Sequence, residues 1–126
     1  MELAAEADNV PLVRLALRGL LEASGISDER TADVALAVTE ACANAVLHAY
    51  HADTGSFEVG AELVPGGRLV VIVRDHGSGM APRVDSPGLG VGLPVMAAIA
   101  EALEIDSPDG SGTVVRMIFD LDTDAS

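Results

Sequence analysis

The hydrophobic pattern switches from a helical to a strand period near residue 55, and this limits the folds open to the chain. Upstream, apolar residues recur every three or four positions. Leu12, Leu15, Leu17, Leu20 and Leu21 form one such set, and Val34, Val38, Ala41 and Ala45 a second. Both sets read as amphipathic helices. Downstream, Phe57, Val59, Ala61 and Leu63 alternate with Glu58, Gly60 and Glu62. That is the period of a half-buried strand. Two helices followed by a hairpin do not build a βαβ sheet. They build an α+β fold, a two-layer sandwich in which about three helices cover one face of a mixed, mostly antiparallel sheet.

The boundaries follow from local chemistry. A short strand is expected within residues 1–6. Asp8-Asn9 before Val10-Pro11 supplies a capping side chain and a first-turn proline for the first helix. Gly25 stops it. Ser27 is the expected cap of the second helix, and Asp28 and Glu29 suit its positive end. This helix is expected to run to about His48. Pro65-Gly66-Gly67 turns the hairpin, and Leu69–Arg74 is its second strand. The glycine-rich stretch 75–92 reads as a long loop, with helix resuming over Leu93–Ala102 and strands over Leu103–Ser107 and Thr113–Leu121.

Composition narrows the function. The formal net charge is −13, and all seven basic residues are Arg. Such a field repels phosphate backbones and anionic lipids, so neither nucleic acid nor membrane is an expected partner. No apolar run approaches the length of a membrane span. The segment MELAAEADN is acidic where a secretory leader is basic, and there is a single Cys, Cys42. A cytoplasmic, single-domain protein spanning 1–126 is therefore expected. With two Phe, one Tyr and no Trp, its core must be aliphatic.

Three segments carry chemistry. The first is TEACANAVLHAY, residues 39–50, where Glu40, Asn44 and His48 lie four apart on one helical ridge. An Asn oxygen is a hard ligand suited to Mg²⁺, and a Glu one turn away can take a proton from a hydroxyl. The second is Asp75-His76-Gly77-Ser78-Gly79-Met80 at a strand end. An ionised Asp only accepts hydrogen bonds, as an exocyclic amine requires, and Gly77 and Gly79 permit close approach of a ligand. The third is Pro87-Gly88-Leu89-Gly90-Val91-Gly92-Leu93, a glycine-rich run feeding a helix N-terminus, which favours phosphate. A P-loop is impossible without Lys, and the dinucleotide fingerprint fails at Leu93. His48 and His51 have no evident third ligand for zinc.

The ordered set is E-x-x-x-N on a helix, D-x-G-x-G after a strand, G-x-G before a helix, and Gly112-Thr113 entering the last strand. Over essentially the whole chain it resembles the GHKL (Bergerat-fold) ATPases, the superfamily of histidine-kinase ATPase domains, gyrase B and MutL. The wording EACANAVLHAY resembles the anti-sigma-factor serine kinases of the RsbW/SpoIIAB type. The resemblance implies ATP and Mg²⁺ as cofactors. It implies Asn44 as the residue holding Mg²⁺ and Glu40 as the catalytic base. Asp75 would receive the adenine amine, with Gly77, Gly79, Met80 and Thr113 around it. Gly88, Gly90, Gly92 and Leu93 would wrap the phosphates, as part of a lid over 80–92. The implied activity is phosphorylation of a serine on a STAS-domain anti-sigma antagonist, together with sequestration of a sigma factor, and the resemblance admits a homodimer. Kinase-type members often carry an Arg just before the glycine-rich box. Here Ser86-Pro87 stand there and Arg83 lies upstream, so the alternative is an ATP-binding sequestration module without phosphotransfer.

Overall fold

A computed structural model describes residues 1–4, 6–52, 55–75, 89–106 and 112–121, with backbone alone at 7, 48–52 and 89–93. The elements are β1 (Glu2–Ala4), α1 (Val10–Ala23), α2 (Asp28–Ala52), β2 (Ser56–Val64), β3 (Arg68–Asp75), α3 (Leu89–Ile99), β4 (Ala102–Asp106) and β5 (Thr113–Asp120). The sheet order is β1-β2-β3-β5-β4, and all four pairings are antiparallel. This is the expected α+β sandwich.

Strand alternation decides which face is covered. Leu69, Val71 and Val73 of β3, and Val115, Met117 and Phe119 of β5, point to the helices and are buried. Val34, Val38, Ala41 and Ala45 of α2 meet them, as their spacing requires. Phe57 and Phe119 are the largest fully buried side chains. Burying each such ring contributes about 2–3 kcal/mol relative to leaving it exposed. The β2–β3 connection is a tight turn in which Gly66 and Gly67 take φ of 100° and 78°, a conformation that L side chains rarely adopt.

Several boundaries and faces differ from expectation. The buried face of α1 is Val10, Val13, Leu17 and Leu21, whereas Leu12 and Leu15 are 51% and 65% exposed. At about 100° per residue these two lie roughly 140–160° around the helix from Leu17. Leu20 sits at the edge of the buried face and is also exposed. A chain rich in Leu cannot bury all of them on one stripe. Asn9 occupies the cap position of α1 but makes no capping bond; its side-chain amide donates to the Ala4 carbonyl at 2.8 Å and ties α1 to β1. Ser27 behaves as expected: its Oγ accepts from the Arg30 N–H at 3.1 Å. α2 runs one turn past His48, to Ala52. The helix expected from Leu93 begins at Leu89 and ends at Ile99. Residues 89–92 of the expected lid are therefore helical.

Candidate functional site

The contacts of Arg30 show which ends of the layers lie together. Its guanidinium donates to the Asp120 carbonyl at 3.1 Å and lies 3.6 Å from the Glu101 carboxylate. The start of α2, the end of β5 and the segment after α3 thus meet at one end of the molecule. From Arg30, α2 climbs ~21 Å to Asn44 at 1.5 Å per residue. From Asp120, β5 returns ~23 Å to Thr113 at about 3.3 Å per residue. Asn44 and Thr113 therefore reach the same, opposite end of the sandwich. α3 finishes beside Glu101, whose N–H donates to the Ile118 carbonyl at 2.8 Å. Its N-terminus consequently points to the end occupied by Asn44 and Thr113.

At that end, Asp75 and Thr113 are direct cross-strand partners in the β3–β5 register. Residues directly opposite present their side chains on one face. Asp75 is 3% exposed and Thr113 2%, both on the helix-covered side. Two polar side chains side by side set this end of the ladder apart from the apolar residues that continue the same face. Gly112, just before β5, has φ of 118°. This places a glycine-only conformation directly before Thr113 and aims the strand. The sequence marks Gly112 only as the neighbour of Thr113; its role comes from the backbone angle, which no residue pattern states.

On α2, Asn44 is buried at 8% exposure and Glu40, one turn earlier, is half-buried. A four-residue step advances the ridge by about 40°. It therefore leaves solvent at Glu40 and approaches the core stripe at Asn44. Gly90 and Gly92 lie in the opening turns of α3, not in a preceding loop, which corrects their expected setting; Leu93 is helical as expected. The first four N–H groups of a helix have no intrahelical partner, and the dipole there attracts anions. Pro94, inside α3, removes one further backbone donor. Gly77, Gly79, Met80 and Gly88 lie outside the described residues, as do residues 80–88 of the expected lid and Arg83, Ser86 and Pro87.

The elements thus run toward one end of the sandwich with an Asn side-chain oxygen, a carboxylate one turn from it, a buried cross-strand Asp75–Thr113 neighbour pair and a helix N-terminus. This donor set fits a magnesium nucleotide. Mg²⁺ is usually held by one or two protein oxygens plus phosphates and water, not by a full protein cage. Among the described residues, no group of three or more His, Cys, Asp or Glu is gathered.

Residues 3–119 match the family model for the histidine kinase-like ATPase domain. The chain belongs to that family. It is 33% identical to the serine-protein kinase RsbW of Bacillus velezensis, over 93% of this chain and 81% of that one. It is also 33% identical to the anti-sigma F factor of Thermoanaerobacter sp. strain X514, over 71% of this chain and 69% of the relative. Among solved structures, the RsbU and RsbW domains of Rv1364c from Mycobacterium tuberculosis superpose with a TM-score of 0.75 at 26% identity. That match covers 96% of this chain and 31% of the other. This histidine kinase-like ATPase domain also has no described helix long and apolar enough to cross a membrane.

Proposed function

We propose that this chain binds ATP with Mg²⁺, transfers the terminal phosphoryl group to a serine of a STAS-domain antagonist, and sequesters a sigma factor. The observation that carries the reading is the meeting, at one end of the sandwich, of Asn44, the Asp75–Thr113 pair and the N-terminus of α3. Relatives named serine-protein kinase RsbW and anti-sigma F factor support a serine acceptor and a sigma-directed role.

The residues divide the work. Asp75 accepts from the adenine amine, which selects adenine over a base with a carbonyl at that position. Thr113 supplies a hydroxyl beside it, and Gly77, Gly79 and Met80 complete that pocket. The N–H groups at the start of α3, around Gly90, Gly92 and Leu93 and following Gly88, hold phosphate oxygens. Asn44 would hold Mg²⁺, which would supply positive charge against the phosphates. Glu40 takes the proton of the attacking serine hydroxyl as its oxygen bonds to phosphorus and ADP leaves. Positioning and charge neutralisation supply most of the rate in such transfers.

The competing reading, sequestration without phosphotransfer, rests on Ser86-Pro87 in place of an Arg. Calorimetric unfolding with and without Mg-ATP tests the shared part. At 100 times its Kd a ligand specific to the folded state adds about 2.7 kcal/mol. For a chain of this size that is about 10 °C in Tm. Asn44→Ala should lose the shift. Glu40→Ala should keep it while phosphorylation of the antagonist falls at least ~100-fold. Retention of phosphotransfer in Glu40→Ala would remove Glu40 as base; no Tm shift at millimolar Mg-ATP would remove the nucleotide site.

A further inference from the structure

β1 covers only part of β2. Pairing runs through Glu2↔Glu58, Leu3↔Phe57 and Ala4↔Ser56. It extends one step further, where the Met1 ammonium donates to the Val59 carbonyl at 3.0 Å and the Val59 N–H donates to the Met1 carbonyl at 2.8 Å. From residue 60 to 64, β2 pairs only with β3 among the described residues. Backbone groups alternate direction along an antiparallel strand, so those of Ala61 and Leu63 point outward, as those of Val59 do. They form an unpaired edge two hydrogen-bonding positions long.

The side chains along this edge are not uniform. Ala61 and Leu63 lie on the helix side and are exposed, Leu63 to 39%. Beside them an open cavity of about 360 Å³ separates α1 from the sheet, lined by Met1, Ala16, Leu20, Val59 and Ala61 among others. On the opposite face, the same edge carries the exposed Glu62; further along stand Glu58, with Arg74 as its cross-strand neighbour, and Glu2, whose carboxylate accepts from Ser56 Oγ at 3.3 Å. An incoming strand would therefore meet an apolar groove on one side and, at Glu62, an acidic face on the other.

We propose that residues 60–64 of β2 bind an extended segment of a partner protein whose side chains alternate between apolar and basic. The added strand pairs with the Ala61 and Leu63 backbone groups, in the manner of strand addition. Its apolar side chains, opposite Ala61 and Leu63, enter the groove beside α1. Its basic side chain, opposite Glu62, lies on the acidic face. A second copy of this chain is a poorer occupant. A two-fold pairing that uses both Ala61 and Leu63 sets Glu62 directly opposite its own equivalent, and like charges in that position are destabilising. The same carboxylate that blocks edge-to-edge association of copies thus admits a basic strand. The proposal is independent of the nucleotide reading.

The test is an amide NMR titration with three capped hexapeptides. One alternates valine and lysine, one alternates valine and glutamate, and one has three valines followed by three lysines. The alternating valine–lysine peptide should saturably shift the Ala61 and Leu63 amides and slow their hydrogen exchange at least fivefold. The other two should bind at least tenfold more weakly. Glu62→Lys, an exposed change, should reverse the preference between lysine and glutamate peptides. Equal binding of the block peptide would mean net charge alone is read, and would overturn the proposal. So would shifts located away from Ala61 and Leu63, an unchanged preference in Glu62→Lys, or protection of these amides by self-association without peptide.

Discussion

The alkaline stability of this chain should be controlled by one thiol. Cys42 sits in the middle of α2, fully buried in the core. Removal from water disfavours the thiolate and pushes its pKa from 9.0 up to about 12. The sign follows from the raised value. The folded state keeps the proton that the unfolded state gives up. The contribution is therefore whole below pH 9 and is lost as pH rises from about 9 toward 12. Linkage gives a loss of ~0.4 kcal/mol at pH 9 and ~1.4 kcal/mol at pH 10, with a slope near 1.4 kcal/mol per pH unit beyond. With an unfolding entropy of ~2.1 cal/mol/K per residue, the value at pH 10 is about 5 °C in Tm. Composition makes the measurement clean. There is no Lys and a single Tyr, so few side chains compete with the thiol in this range. Denaturant unfolding of the wild type and Cys42→Ala between pH 7 and 10.5 isolates the thiol. The alanine variant should lose about 1 kcal/mol at pH 7 from lost packing, and the gap should narrow and then reverse by pH 10. Parallel curves would refute the argument, because they would mean the thiol titrates alike in both states. The same burial predicts that an aromatic disulfide reagent labels Cys42 at pH 8 only after unfolding.

Two further outcomes test the scaffold around the site. Thr31 Oγ1 is fully buried with no hydrogen-bond partner among the described residues. Thr31→Val keeps the shape and removes the orphaned hydroxyl, so it should stabilise by about 1 kcal/mol in urea unfolding; a loss of stability would mean the hydroxyl is engaged. Gly112→Ala forces a side chain onto φ of 118°. It should cost about 1–3 kcal/mol and weaken the Mg-ATP shift more than Gly60→Ala, where an added Cβ meets nothing within 4 Å.

The element types and their order were legible in the residue pattern, as was the ridge that carries Glu40 and Asn44. The switch of period near residue 55 required helices over an antiparallel sheet, because one apolar stripe and one alternating face can bury only against each other. The four-residue spacing of Glu40 and Asn44 put them on one ridge without any tertiary information. Side-chain identity also separated Ser27, a working cap, from its neighbours. Tertiary structure decided what local pattern leaves open. Leu12 and Leu15 look as apolar as Leu17, yet only packing against α2 selects the stripe that is buried. Asn9 has a good capping side chain, yet a carbonyl on β1 takes it. The start of α3 lies four residues earlier than the glycines suggest, since glycine lowers helix propensity by only about 1 kcal/mol per residue and contact with α2 can offset that. Above all, Asp75 and Thr113 are 38 positions apart along the chain. Only the β3–β5 register makes them neighbours, and only the packing of α2 against α3 and the sheet, with Arg30 joining their far ends, sets how Asn44 and the N-terminus of α3 lie relative to that pair. Residue type is local, but the convergence that forms a site depends on long-range pairing, whose register is set by burial of one whole sheet face at once.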